Sequence, residues 1–154
     1  MRGRVNFLQL SRQGGKNENS YRTSIKYLSS RNVVIIGFDP SPISKSGNST
    51  PGLGNFYSGC AGAYKRGLEI GSFAVIDVDQ NTAYHLEAAA IPPVKKDTVG
   101  SPKTLVDHYA EILIDRSHEL SELSNILVCD CYFAKIKYVD AVCDHTSMEL
   151  ISCF

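Results

Sequence analysis

Apolar and polar positions divide the chain into a few distinct blocks. The densest, Val33-Val34-Ile35-Ile36 followed past a glycine by Phe38, runs straight into Asp39 and Pro40. An uninterrupted apolar run bounded by polar residues predicts a strand buried on both faces. Pro40 has no N–H to give and is expected to stop that strand as a paired central one. Further on, EIGSFAVIDVD and TAYHLEAAAI are strand patterns joined at Asp79-Gln80-Asn81, which predicts a hairpin ended by Pro92-Pro93. Residues 102–115 place Leu105, Tyr109, Ile112 and Leu113 at helical spacing behind Ser101 or Thr104 as cap. NILVCD predicts a second buried strand, again ending on an acid, Asp130. YFAKIKYVDAVCDH predicts a helix with Phe133, Ile136, Val139 and Cys143 on one side, and ELISCF begins one more strand.

Two stretches carry the basic residues. Residues 5–30 hold two short helical candidates split by Gly14-Gly15. Asn17 can cap the second, whose Tyr21, Ile25 and Leu28 fall at helical spacing. With Arg12, Lys16, Arg22 and Lys26 nearby they suit a helix-turn-helix contact to DNA, and equally a packed helical hairpin with solvated charges. Residues 40–67, rich in Gly, Ser, Pro and Lys, read as a long loop. Gly52-Leu53-Gly54 is no phosphate loop, because no apolar helix opens there and the Gly-Lys-Ser/Thr ending is missing. The expectation is a flexible basic lip beside Asp39, with Lys45, Lys65 and Arg66 for phosphates and Phe56 and Tyr57 for stacking. Asp77 and Asp79 are expected to share a face as a solvated hairpin tip, with a metal pair as the alternative. His85 and Glu87 are expected to form a surface pair on a common face.

Composition describes an ordinary soluble globular chain: 154 residues, 43% hydrophobic and 21% charged. That length suits one domain, or a domain with a small appendage. No apolar run approaches the ~20 residues of a membrane span, and MRGRVNFLQL lacks the apolar region of a signal peptide. The five cysteines, an odd number without framework spacing, point to free thiols and a cytoplasmic setting. The net charge of zero hides a division. Residues 1–66 carry ten Lys/Arg against Glu18 and Asp39, and residues 67–154 carry six against fourteen acids. A basic first part implies a polyanion partner.

If the first three strands form an antiparallel meander, the helix after them returns the next strand parallel to the first and beside it. Asp39 and Asp130 would then stand side by side at the lip of the sheet. The alternative for Asp39 is to cap the Pro-Ser turn that follows it. Paired carboxylates repel, and a divalent cation, Mg²⁺ (or Mn²⁺), relieves that repulsion and supports in-line phosphoryl transfer. The fold class expected is α/β: a ribonuclease H-like mixed sheet, antiparallel meander plus parallel strand, with flanking helices.

FDPSPISKSGNSTPGLGNFYSGCAG, GLEIGSFAVIDVDQNTAYHLEA and VCDCYFAK together resemble the DDE transposases of bacterial insertion sequences. The likeness runs from about residue 31 to the end, and NFLQLSRQGGKNENSYR looks like the approach to that family's N-terminal DNA-binding part. Residues 1–30 would be a remnant of that region and residues 31–154 a partial catalytic domain. The resemblance implies metal-dependent nicking at transposon ends and strand transfer, with Asp39 and Asp130 as the first two metal-binding acids. It also implies DNA and other transposase subunits as partners. Two departures stand out. Cys131 follows the second Asp where the family more often has Gly, and the third acid, a Glu on a later helix, has no counterpart. Asp140, Asp144 and Glu149 come too early for it. The expectation is a copy truncated before the third acid, incomplete at the C-terminus and unable to cut DNA alone. A haloacid-dehalogenase-type phosphatase would need an acid where Ser41 stands. A zinc module would need Cys129, Cys131, Cys143 and His145 to converge, although Cys-x-Cys in a buried strand chelates poorly. The remaining alternative is a non-catalytic fragment that binds DNA or transposase.

Overall fold

The computed structural model describes residues 33–47, 49–94 and 103–152. The expected N-terminal helical region, with Arg12, Lys16 and Arg22, lies outside them. The described chain forms β1 (Val34–Ser44), β2 (Gly54–Ser58), β3 (Ala63–Asp77) and β4 (Thr82–Ile91), then helix α1 (Leu105–Ser121), β5 (Ile126–Cys129), helix α2 (Ile136–His145) and β6 (Glu149–Ser152). One mixed sheet has the order β2-β3-β1-β5-β6, with β4 also on β3. Strands β1 to β4 pair antiparallel through β3, whereas β5 lies parallel to β1 and β6 parallel to β5. This is the expected mixed α/β architecture, a meander plus a returning parallel strand, compatible with a ribonuclease H-like fold.

The first strand does not stop at Pro40. β1 continues to Ser44, paired with β3 throughout. Its hydrogen-bond parity explains the tolerance. Val78 N donates to Val33 O at 2.9 Å and Lys45 N to Arg66 O at 3.2 Å, so odd-numbered residues of β1 bond to β3. The nitrogens of Pro40 and Pro42 therefore point away from β3. The pairing of β1 with β5 comes at Ile36 and Gly37, before either proline. A proline costs no ladder bond where its nitrogen faces no neighbouring strand. The expected loop of residues 40–67 is accordingly mostly strand. The ends of β1 and β2 flank the first part of β3, where Gly67 pairs with both Ser44 and Gly54.

Alternation sorts the sheet into two faces. Val34, Ile36 and Phe38 of β1 and Phe73 and Val75 of β3 pack with Val106, Tyr109, Leu113 and Leu120 of α1 and Tyr138 and Val142 of α2. Ile35, Gly37, Ala74 and Ile76 have the opposite parity and face the other side. Thr104 caps α1 through a capping box with Asp107. The helix outruns its predicted end at 115 because the residues to Ser121 contain no breaker, and Leu120 adds another turn to the buried stripe.

Three expectations about side-chain direction are corrected. β4 carries a bulge: Phe73 pairs with Glu87 and Ala74 with His85, leaving Leu86 as the extra residue. His85 thus faces the open side, whereas Glu87 takes Arg116 Nε of α1 at 3.1 and 3.0 Å, so the two do not share a face. In α2 the buried side is Tyr138 and Val142, while Ile136 is 79% exposed and Cys143 is exposed. A one-turn 3-10 helix at Cys131–Phe133 and an extended Lys135 reset the helical phase that was counted from Phe133. The hairpin forms where expected, but Asp77 is not solvated: it is 2% exposed, on the core-facing side of β3, and its Oδ1 accepts from Gln80 N, whereas exposed Asp79 accepts from Val33 N through Oδ2, each at 2.9 Å.

The Tyr138 hydroxyl is buried without a hydrogen bond of ordinary geometry. It interacts with the Cys129 thiol, a weak partner. Tyr138→Phe is therefore expected to be neutral or to stabilise by about 1 kcal/mol, read as the midpoint of urea unfolding. A loss of more than about 1 kcal/mol would contradict the orphaned hydroxyl.

Candidate functional site

The site is built where β1 passes the end of β5. Ile36 pairs with Leu127 and Gly37 with Val128; continued two residues past the last pair, that offset brings Asp39 level with Asp130, and the two line the same clefts. β5 ends at Cys129, so Asp130 opens the 3-10 turn and its Oδ1 accepts from Tyr132 N at 3.0 Å. Capping thus occupies one carboxylate oxygen of Asp130. Asp39 has no Pro-Ser turn to cap, because the strand continues; its Oδ2 accepts from Ser41 Oγ at a long 3.4 Å. Both carboxylates are exposed.

The pair stands between two clefts and lines both. On the helix-covered side a cleft of about 220 Å³ is walled by Pro40, Pro42, Tyr57, Leu105, Tyr109 and Tyr132, with Glu69 among its lining residues. On the open side a cleft of about 540 Å³ is lined by Gly37, Ser72, Ala74, Ile76, His85 and Val128. Cys129 sits behind the pair, and burial, with the charges of Asp130 and Asp39 adding, pushes its thiol up to about 12. Cys129 is buried and unreactive in this setting, whereas Cys131 and Cys143 are exposed.

Lys45, Lys65 and Arg66 do come together, but six residues further along the line of β1 than Asp39, ~20 Å at strand rise, rather than as a flexible lip beside it. All three are exposed and line one shallow basin at the outer end of the β1–β3 pairing. The stacking residues need correcting. Phe56 is 1% exposed and cannot stack on a ligand, because alternation turns it inward and Tyr57 outward. Tyr57 is matched across the ladder by Tyr64, 73% exposed, at 5.5 Å between ring centroids. Sequence reasoning missed Tyr64, although its position symmetric with Tyr57 about the Gly59–Gly62 turn was a usable signal. It also missed Glu69, whose parity with Phe73 and Val75 in the third strand marks it as core-facing. Tyr132 was missed as well; Lys135 Nζ lies 3.4 Å from its ring centroid.

Whether a cation fits is judged from the donors. Asp39 and Asp130 offer hard oxygen donors at one lip. Mg²⁺ is commonly held by one or two carboxylates, with waters and substrate phosphates completing its shell. The pair fits such an ion. Among the described residues, no three or more His, Cys, Asp or Glu side chains converge tightly enough to form a complete metal cage. No helix of the described residues is long and apolar enough to cross a membrane.

No protein-family model matches the chain, and no curated protein does. Among solved structures it is similar to Ciona intestinalis Endonuclease V in complex with a 23mer DNA containing an inosine followed by a ribo-adenosine. That match has 12% identity and a TM-score of 0.44, and covers 87% of this chain and 55% of that one. A second complex of the same enzyme, with a 24mer DNA, matches at 10% identity and a TM-score of 0.41, over 87% and 56% of the two chains. The chain thus spans about half the length of these structures.

Proposed function

We propose that this chain is the two-aspartate part of a DNA strand-cleaving and strand-transferring centre of the DDE transposase type. The observation that carries the reading is the β1–β5 register, which, extended two residues past its last pair, brings Asp39 in mid-β1 level with Asp130 after the end of β5, and both line the same two clefts. Ligands of α/β sheets collect at the carboxyl ends of parallel strands, the position that Asp130 takes after β5. Asp39 and Asp130 would hold Mg²⁺ or Mn²⁺, which when bound supplies activation of a hydroxyl nucleophile and charge neutralisation at a phosphate. The chain's own residues do the rest. Lys45, Lys65 and Arg66 attract and orient the DNA backbone, and Tyr57 and Tyr64 offer aromatic faces. Phe38, Phe133 and Tyr109 hold the lip rigid from beneath. Two carboxylates capture a cation but do not encase it, so strand cleavage calls for a further acid.

The test is titration with Mn²⁺, followed by the loss of the free-ion electron paramagnetic resonance signal. Wild-type protein is expected to bind Mn²⁺, and Asp39→Asn or Asp130→Asn to weaken binding at least about ten-fold. A wild-type chain that leaves millimolar Mn²⁺ free overturns the reading. The basic basin at Lys45, Lys65 and Arg66 favours a second reading, a DNA-binding module without cleavage. Salt-sensitive DNA binding that ignores both Asn substitutions and Mn²⁺ would select it.

A further inference from the structure

We infer that Glu69, held by the Tyr109 hydroxyl, is a third acid of this site. Its role would be to accept hydrogen bonds from water carried by a cation on Asp39 and Asp130. The inference rests on the two-aspartate reading above and adds a residue to it. Glu69 lies in β3, opposite Pro42 of β1 and Ile91 of β4. Its parity is that of Gly71, Phe73 and Val75, so the strand delivers it to the helix-covered face. There it is 6% exposed, yet it lines the same cleft as Asp39 and Asp130.

Tyr109 Oη donates to Glu69 Oε2 at 2.8 Å. That phenol is the partner the structure gives the carboxylate, and it is neutral. Burial raises the Glu69 pKa, and the Tyr109 hydrogen bond only partly opposes this. A buried acid held by one neutral partner is a costly way to fill space, and Leu or Met would pack there without the penalty. Tyr109 connects the two groups electrostatically: the negative charges of both Glu69 and Asp130 raise its pKa, after the larger effect of burial.

The three acids do not converge tightly enough to ligate one ion directly. An outer-shell position satisfies both facts. Mg²⁺ and Mn²⁺ keep several waters when bound by one or two carboxylates, and those waters need acceptors. Outer-shell acceptors typically change metal affinity 10- to 100-fold. Glu69 lines the same cleft as the aspartates and would serve as such an acceptor.

Glu69→Gln tests this, because the amide keeps the shape and can still accept from Tyr109. With near-ultraviolet circular dichroism as the check on folding, the Mn²⁺ dissociation constant is expected to rise about ten-fold. Asp39→Asn, titrated in parallel, separates the two ideas. If Asp39→Asn abolishes binding and folded Glu69→Gln binds as wild type does, only the role of Glu69 is overturned. If Asp39→Asn changes nothing, the two-aspartate reading falls and takes this one with it. Should Glu69→Gln not fold, Tyr109→Phe decides: it removes the hydroxyl and keeps the ring. Altered Mn²⁺ affinity in the folded Phe variant supports the role, and unchanged affinity overturns it.

Discussion

Phe38→Ala is expected to lower the free energy of unfolding by about 3–5 kcal/mol, measured by urea denaturation at neutral pH. Phe38 is the aromatic centre of the core. Its ring centroid lies 4.7 Å from that of Phe73, 5.6 Å from Phe133 and 6.1 Å from Tyr109. Truncation removes the transfer free energy of the ring and leaves a cavity between sheet and helices that cannot close easily, because rigid rings surround it. The sheet is shaped around the ring: a Cβ on Gly71 would lie 2.9 Å from Phe38 Cε2. The loss is a large share of the roughly 5–15 kcal/mol available to a domain. It should also reach the site, since Phe38 directly precedes Asp39 and packs against Phe133 and Tyr109. In a folded remnant, Mn²⁺ binding is expected to weaken even though both aspartates remain. A loss below about 1 kcal/mol would show that the core repacks freely.

The parts of this fold legible in the sequence are those where one local signal and the tertiary outcome agree. The apolar run into Asp39 named a strand but not its end, which lies at Ser44, whereas the run into Asp130 named both. A helix between hairpin and strand named a parallel return, which put the two aspartates side by side. What was not legible depended on neighbours. Pro40 stops a strand only if its nitrogen faces a partner, and that parity is set by the register with β3. The face of Glu87 depended on one extra residue, Leu86, which pattern reading counts as part of a regular strand. The face of α2 depended on where the helix begins after the 3-10 turn, and a phase counted from Phe133 placed exposed Ile136 inside. Glu69 was legible by parity, but a lone Glu in a strand pattern looks like a solvated position until Tyr109 is placed against it.

Gly67 shows the same dependence with the largest steric consequence. Gly67→Ala is expected to destabilise by about 3 kcal/mol or more, beyond the usual range for added core volume. A Cβ there would sit 2.2 Å from the carbonyl oxygen of Ile43 and 3.1 Å from Ser44 Cα. Both are backbone atoms of β1, so no side-chain rotation can relieve the clash and the strands must separate. Gly67 pairs with Ser44 on one side and Gly54 on the other, so separation loosens the outer ends of three strands together. Amide exchange is the discriminating measurement. Protection is expected to fall at Lys45, whose N–H bonds to Arg66 O, and along Gly54–Ser58, while Leu127 and Val128 at the β1–β5 pairing stay protected. The basin formed by Lys45, Lys65 and Arg66 would come apart with those strand ends, and the two aspartates would keep their register. DNA affinity should therefore fall while Mn²⁺ binding persists, which separates the contribution of the basic basin from that of the carboxylate pair. Equal loss of both would mean that the outer strand ends and the aspartate lip unfold as one unit.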